Sequence, residues 1–318
     1  MIPAPKAPSS PSFQFPCIQL NFVPSSSPFI KTTSMPTPWT TPDTSTRPIA
    51  IIGAGVMGRR IAMMWVAAGY SVILCERSTN YDGALDYIKS NQDKQAEQMG
   101  TKPAPVQITA SLPEACSQAW MVIEAVPEKT EMKVDILGAI DEVAPPDCVV
   151  TTNSSSLRSS QMLVKTKHNY RICNGHYYMP PEQTYYEVMS CGETDEAIPP
   201  FLIEKAQSAG FRPVHARKES TGLVFNRIWA AIKRECLLVM ADGVSDGTTI
   251  DEMFKSWFQA GKGPCQMMDT VGLDTVYDIE VVYQQQLKLN DRRAMDWLKS
   301  NYIDKGNLGA KAGVGLLG

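Results

Sequence analysis

The sequence predicts an α/β fold, a doubly wound parallel sheet followed by a smaller all-α domain. Three observations lead there. A short apolar run, Ile49-Ala-Ile-Ile52, ends in the glycine loop Gly53-Ala54-Gly55-Val56-Met57-Gly58. Strand and helix patterns then alternate as far as residue 216. After Lys218 only the helical period remains.

Ile49–Ile52 reads as a buried strand, because a run apolar at every position needs cover on both faces. Residues 59–68 read as a helix closed by Gly69, and Ser71–Glu76 as the next strand, giving one βαβ unit. A polar helix follows over 81–99, then weak strand and helix signals through 106–118. Strands are predicted at Trp120–Ala125 and Cys148–Thr152, around a helix at 128–142. Three more follow at Arg171–His176, Tyr185–Met189 and Arg212–Ala216, with a helix over 198–209 before the last. Residues 48–217 are therefore expected to form a Rossmann-type doubly wound sheet domain. Residues 218–318 are expected to be all-α. Ser220 or Thr221 caps a helix running to Ala241, with Val224, Ile228, Ala231, Ile232, Cys236 and Met240 as its apolar positions. Further helices are predicted at 250–260, 276–288 and 291–301.

Residues 1–47 have a different character, with 10 Pro, 8 Ser, 7 Thr and a single acid, Asp43. Such a segment buries too little apolar surface to offset the entropy of ordering it, so a disordered tail is expected. A transit peptide is the alternative, opposed by the many prolines and the presence of only Lys6, Lys31 and Arg47 as bases. The formal net charge of −3, without long runs of one sign, speaks against a nucleic-acid surface. No apolar stretch is long enough to span a bilayer. The eight cysteines are scattered and read as small core hydrophobes of a reducing compartment. An intracellular protein is expected, cytoplasmic first, with mitochondrion and peroxisome left open.

The glycine loop lies between a strand and a helix, the context in which this spacing holds a dinucleotide. Gly53 permits the tight turn, Gly55 lets backbone approach a pyrophosphate, and Gly58 lets helix pack on strand. The amides of Val56 and Met57 open the helix and face the phosphates. Glu76, at the end of the next strand, would accept hydrogen bonds from ribose hydroxyls and repel a 2′-phosphate, which favours NAD over NADP. Arg77 beside it pulls the other way. Among three histidines, His168 reads as surface and His215 as structural. His176 ends an apolar strand, where open α/β sheets bind ligands, and suits a general base. Glu187 ends the following strand and is placed to pair with that imidazole or to lie solvated at the edge. No metal-ligand cluster is visible.

Over residues 48–318 the chain resembles the L-3-hydroxyacyl-CoA dehydrogenase family. The resemblance rests on Ile51–Gly58, Val122–Glu128, Thr152–Leu157, His176 with Pro180, Glu187-Val188, Gly222–Arg227, Gly263-Pro264, Asp269–Asp274 and Leu308–Gly315. It implies that His176 takes the proton of a substrate 3-hydroxyl and that Glu187 pairs with it. It implies that Ser155 and Asn226 hydrogen-bond the reacting oxygen or carbonyl. Glu128, Lys133 and Asn153 would line the NAD site, and the all-α domain would form a homodimer interface.

Three departures bear on the substrate. The family usually reads Phe-Phe-Asn-Pro after the histidine, whereas this chain has Tyr177-Tyr-Met-Pro180. The segment from Glu76 to Ile123 is shorter than in the fatty-acid enzymes, where a longer hairpin helps hold coenzyme A. Val126-Pro-Glu128 and Gly58-Arg59 look like relatives that oxidise free 3-hydroxy acids such as L-gulonate and carnitine, while Gly263–Asp274 leans toward the acyl-CoA enzymes. The expected activity is that of a 3-hydroxyacyl-CoA dehydrogenase, with a free 3-hydroxy acid dehydrogenase as the alternative. A non-catalytic NAD-binding protein is a third reading, opposed by the presence of Ser155, His176, Glu187 and Asn226.

Overall fold

The computed structural model describes residues 39–76 and 82–318. An eight-stranded sheet carries β1 (Ile49–Ile52), β2 (Val72–Cys75), β3 (Val106–Thr109), β4 (Met121–Glu124), β5 (Val149–Thr152), β6 (Ile172–Met179), β7 (Gln183–Ser190) and β8 (Arg212–Ala216). Their order is β3-β2-β1-β4-β5-β6-β7-β8. Helices α1 (Val56–Ala67), α2 (Asp82–Met99), α3 (Leu112–Cys116), α4 (Thr130–Val143) and α5 (Ile198–Ser208) connect the strands. β1, β4 and β5 are buried at every position; the run of β1 is apolar throughout, while β4 ends in Glu124 and β5 in Thr151 and Thr152.

The sheet is mixed rather than parallel throughout. β6 and β7 form an antiparallel hairpin, and β8 then runs parallel to β7. His176 accordingly does not end its strand, since β6 continues to Met179, and Glu187 lies within β7 rather than at its end. The alternation of strand and helix does not show that Pro180–Glu182 is too short for a crossover and must be a hairpin turn.

After β8 the chain is helical: α6 (Phe225–Ala241), α7 (Gly247–Phe258), α8 (Pro264–Val271), α9 (Leu273–Leu287) and α10 (Arg293–Asn301). α8 was not anticipated; Pro264 opens it, where its missing N–H costs nothing. α6 begins later than Ser220 or Thr221, because Gly222 and Leu223 adopt φ of 78° and 52° and turn the chain first. Its apolar positions also split between two faces. Ala230, Leu237 and Met240 are buried together with Lys233, whereas Ile228 and the capping Val224 are exposed.

The expected tail is packed from Trp39 onward; residues 1–38 lie outside the described residues. Trp39 is buried, meets the Phe201 ring edge-on, and donates to the Asp147 carbonyl at 2.8 Å. Arg47 forms an ion pair with Asp147 and donates to Ala119 O at 2.7 Å. Two long side chains supply the contacts that a Pro/Ser/Thr composition alone does not reveal. All seven described cysteines are free thiols, and six of them are buried.

Candidate active site

The loop after β1 lies at the carboxyl ends of β1 and β4, where the connections leave the sheet in opposite directions. Gly53 has φ of 105°, and a Cβ there would sit 2.8 Å from the Ala125 carbonyl oxygen. At Gly58 a Cβ would come within 1.8 Å of the Gly53 carbonyl oxygen. At Gly55 it would meet nothing within 4 Å, so that space faces an open cavity. The cavity measures about 1140 Å³ and is lined by Gly53, Gly55, Val56, Met57 and Glu76 at one end and Asn153, Ser155 and His176 at the other. No side chain caps the first turn of α1, leaving its amides for an anion. Glu76 accepts the Ala54 amide at 3.1 Å, which places its carboxylate against the loop. The glycine cradle, the helix N-terminus and the acid at the end of β2 together fit a dinucleotide. Arg77 lies outside the described residues.

The loops after β4 and β5 are held by a buried acid–base cluster. Glu124 and Lys133 are both buried. The Lys133 ammonium donates to both Glu124 oxygens at 2.8 and 3.0 Å and to Val126 O at 3.1 Å, and lies 3.3 Å from Glu128. Thr152 Oγ1 donates to Glu124 at 2.6 Å. Lys133 lies in the cavity wall, with its donors committed to the protein. Glu128 accepts from the hydroxyls of Ser154 and Ser156 and from the Ser156 amide. Burial alone would raise its pKa; Lys133 and these donors outweigh burial and hold it below the usual value. Glu124 was missed by sequence reasoning, although a lone acid in the apolar strand Met121-Val-Ile-Glu124 was a legible signal.

His176 is buried, with its ring between two partners. Nδ1 lies 3.0 Å from the Asn153 carbonyl oxygen and must donate to it, since a carbonyl cannot donate. Nε2 then keeps its lone pair and accepts from Asn226 Nδ2 at 3.2 Å. Burial lowers the imidazole pKa; Asn153, Glu187 and Glu128 oppose this without reversing it. The ring is therefore neutral near pH 7, with its basic nitrogen toward Asn226. Asn153 also accepts the Tyr177 amide through its side chain at 2.7 Å. The Ser155 hydroxyl lines the cavity and, among the described residues, has no hydrogen-bond partner.

Glu187 stands directly opposite His176 in the hairpin register. The expected pairing nevertheless does not take the form of a hydrogen bond. The carboxylate accepts from the Tyr178 hydroxyl, from Val224 N at 2.7 Å and from Phe225 N at 3.2 Å. The uncapped amides at the start of α6 attract it more strongly than a neutral ring can. Glu187 thus fastens the hairpin to the helix that presents Asn226. Tyr178, its partner, was also missed by sequence reasoning.

Models of the 3-hydroxyacyl-CoA dehydrogenase NAD binding domain and C-terminal domain match residues 48–220 and 222–317. The chain belongs to the 3-hydroxyacyl-CoA dehydrogenase family. It is an oxidoreductase of that family with an NAD-binding domain. A 3-hydroxyacyl-CoA dehydrogenase-like protein, LAM1, of Cochliobolus heterostrophus is 41% identical over 146 residues, 46% of this chain and 31% of that protein. A 3-hydroxybutyryl-CoA dehydrogenase of Clostridioides difficile is 29% identical over 249 residues, 74% of this chain and 87% of that one. A diketoreductase structure, described for catalysis on dicarbonyl compounds, superposes with a TM-score of 0.70 at 28% identity, covering 85% of this chain and 98% of that one. No helix of the described residues is long and apolar enough to cross a membrane, and no three His, Cys, Asp or Glu among them gather as a metal site.

Proposed function

We propose that the protein interconverts a 3-hydroxyacyl and a 3-oxoacyl group, with His176 as the base. The single observation that carries this is the unprotonated Nε2 of His176, accepting from Asn226 at 3.2 Å at the cavity that the glycine loop shares. When bound, NAD supplies the carbon that accepts or gives hydride at substrate C3. His176 Nε2 removes the hydroxyl proton during oxidation and returns it during reduction. Asn226 and Ser155 donate to the reacting oxygen or the neighbouring carbonyl, stabilising charge that grows there. Glu187 acts as a positioning residue through α6, and its negative charge favours the imidazolium once formed. Glu76 receives the adenosine ribose, while Glu128, Lys133 and Asn153 shape the wall on the nicotinamide side.

The C. difficile relative acts on an acyl-CoA by name, and the diketoreductase on dicarbonyl compounds, so the reaction class is common ground and the carrier of the acyl group is not. NADH oxidation with acetoacetyl-CoA, dehydro-L-gulonate and dehydrocarnitine tests both. Turnover of a free keto acid without turnover of the thioester would overturn the CoA reading. His176→Gln is expected to lose about three orders of magnitude in kcat, and full activity in that variant would remove the base. Preference for NADPH over NADH would overturn the role of Glu76. We further propose a homodimer through the C-terminal domain. Exposed Val224 at the start of α6, Phe225 and Ile228 on it, and Met253, Trp257 and Phe258 on α7 support it. Light scattering on a sizing column checks this, and a monomer at micromolar concentration would refute it.

A further inference from the structure

A second, smaller cavity of about 190 Å³ opens behind the base, between the sheet domain and the helices. Ser155 and Asn226 line it on the side of the active site, and Ser155 also lines the larger cavity. Its other walls are mostly apolar, built by Trp229, Met267, Val271 and Ile279. Lys233 and Tyr283 face it as well. Lys233 is only 7% exposed, and among the described residues it has neither an ion pair nor a hydrogen bond. The Trp229 ring centroid lies 5.9 Å from Nζ, at the outer reach of a cation–π contact, and the Glu280 charge acts on the ammonium without an ion pair to it. The nearby carboxylate of Glu280 is taken by Arg234 and by Gln284. The Tyr283 hydroxyl is likewise buried without a partner.

Burying an ammonium without a counter-charge is costly, and a protein gains nothing in stability from keeping it. Two unpaired donors, one of them cationic, converge on one small cavity. Lys233 follows Asn226 by seven residues, two turns along one face of α6, about 10 Å between backbones. Helical side chains lean toward the N-terminus, which brings the ammonium back toward Asn226 and shortens that span. A group bound by Lys233 therefore lies only a few bonds from the carbon that His176 serves.

We propose that Lys233, with Tyr283, binds a carboxylate of the substrate and makes this enzyme selective for an anionic 3-oxo or 3-hydroxy acyl compound. The proposal rests on the reading of His176 as the base and adds the charge of the substrate. The carboxylate has two sources, C1 of a free 3-oxo acid or the far end of a dicarboxylic 3-oxoacyl thioester. Burial lowers the Lys233 pKa to about 8, with Glu280 opposing and Arg234 assisting. The ammonium form needed for a carboxylate is thus present below pH 8 and lost above it unless the ligand holds the proton.

The test compares wild type, Lys233→Met and Lys233→Arg. The substrates are acetoacetate, its neutral methyl ester, acetoacetyl-CoA and 3-oxoadipyl-CoA. Wild type is expected to prefer an anion over its neutral counterpart. Lys233→Met is expected to raise KM for that anion on the order of 100-fold, leaving kcat and the KM of the neutral compound nearly unchanged, and Lys233→Arg to recover part of the loss. Acetoacetate preference identifies the C1 source and 3-oxoadipyl-CoA preference the distal one. Equal KM values in wild type and Lys233→Met, or no preference for charge, overturn the proposal, whereas the base is tested separately by His176→Gln, whose full activity would remove it. If nothing turns over, calorimetric binding of acetoacetate and 3-oxoadipyl-CoA to the NADH-loaded protein decides. Tighter binding of either to wild type than to Lys233→Met supports the carboxylate site, and equal binding removes it.

Discussion

Two buried lysines sit on opposite sides of the candidate active site, and their surroundings differ in kind. Lys133, under the loops after β4 and β5, is enclosed by Glu124, Glu128 and the Val126 carbonyl. Lys233, beside the smaller cavity on α6, meets an aromatic ring and, among the described residues, forms no ion pair, the nearby Glu280 carboxylate being taken by Arg234. The first ammonium completes an internal cluster, so its charge serves architecture. The second has no ion pair of its own, and the proposed substrate carboxylate would supply one. Burial alone does not separate a structural from a ligand-binding charge; the state of its partners does.

The comparison breaks most readily at Lys133. Lys133→Met leaves Glu124 buried and unpaired, and is expected to cost about 3–5 kcal/mol of stability, read by urea denaturation. A loss below 1 kcal/mol would show that the cluster is not structural. Lys233→Met is expected to leave the apo fold as stable as wild type or more so, by up to about 2 kcal/mol. A clear loss of stability there would mean that Lys233 has an internal role after all.

The same contrast has a pH signature. The folded-state pKa of Lys233 is lowered from 10.5 to about 8, so between those values the unfolded chain binds the additional proton. Wild-type stability should therefore rise from pH 8 to 10 relative to Lys233→Met, and parallel curves would contradict the burial of this charge. Smallest is the effect at Glu187. Glu187→Gln keeps a hydrogen-bond acceptor for α6 but removes the charge, costing about 1 kcal/mol of stability. If Glu187 positions Asn226, kcat should fall several-fold with little change in KM for NADH, whereas unchanged kinetics would confine it to a structural role.

For His176, the lowered pKa means that the neutral base persists below the ordinary histidine range. Oxidation measured as kcat/KM should hold through the ordinary histidine range and fall only below it. A decline beginning above pH 7 would contradict burial as the dominant influence.

Much of this architecture follows from local pattern. Apolar runs of four residues need cover on both faces, and a strand running into Gly53, Gly55 and Gly58 admits few uses. His176, Ser155 and Asn226 were recognisable because the motifs around them are contiguous. The pairings between distant segments were not. That β6 and β7 form a hairpin depends on a short turn, and that Glu187 turns to the α6 amides depends on where that helix starts. Trp39 and Arg47 find their partners about a hundred residues away. Lys233 reads as one more polar residue on an amphipathic helix, because periodicity records spacing but not which face the rest of the chain will cover. By itself the sequence determined the sheet elements, the glycine loop and the candidate base. Only the tertiary structure decided which charges are buried and which of those are paired, because burial and pairing are set by packing between segments far apart in the chain.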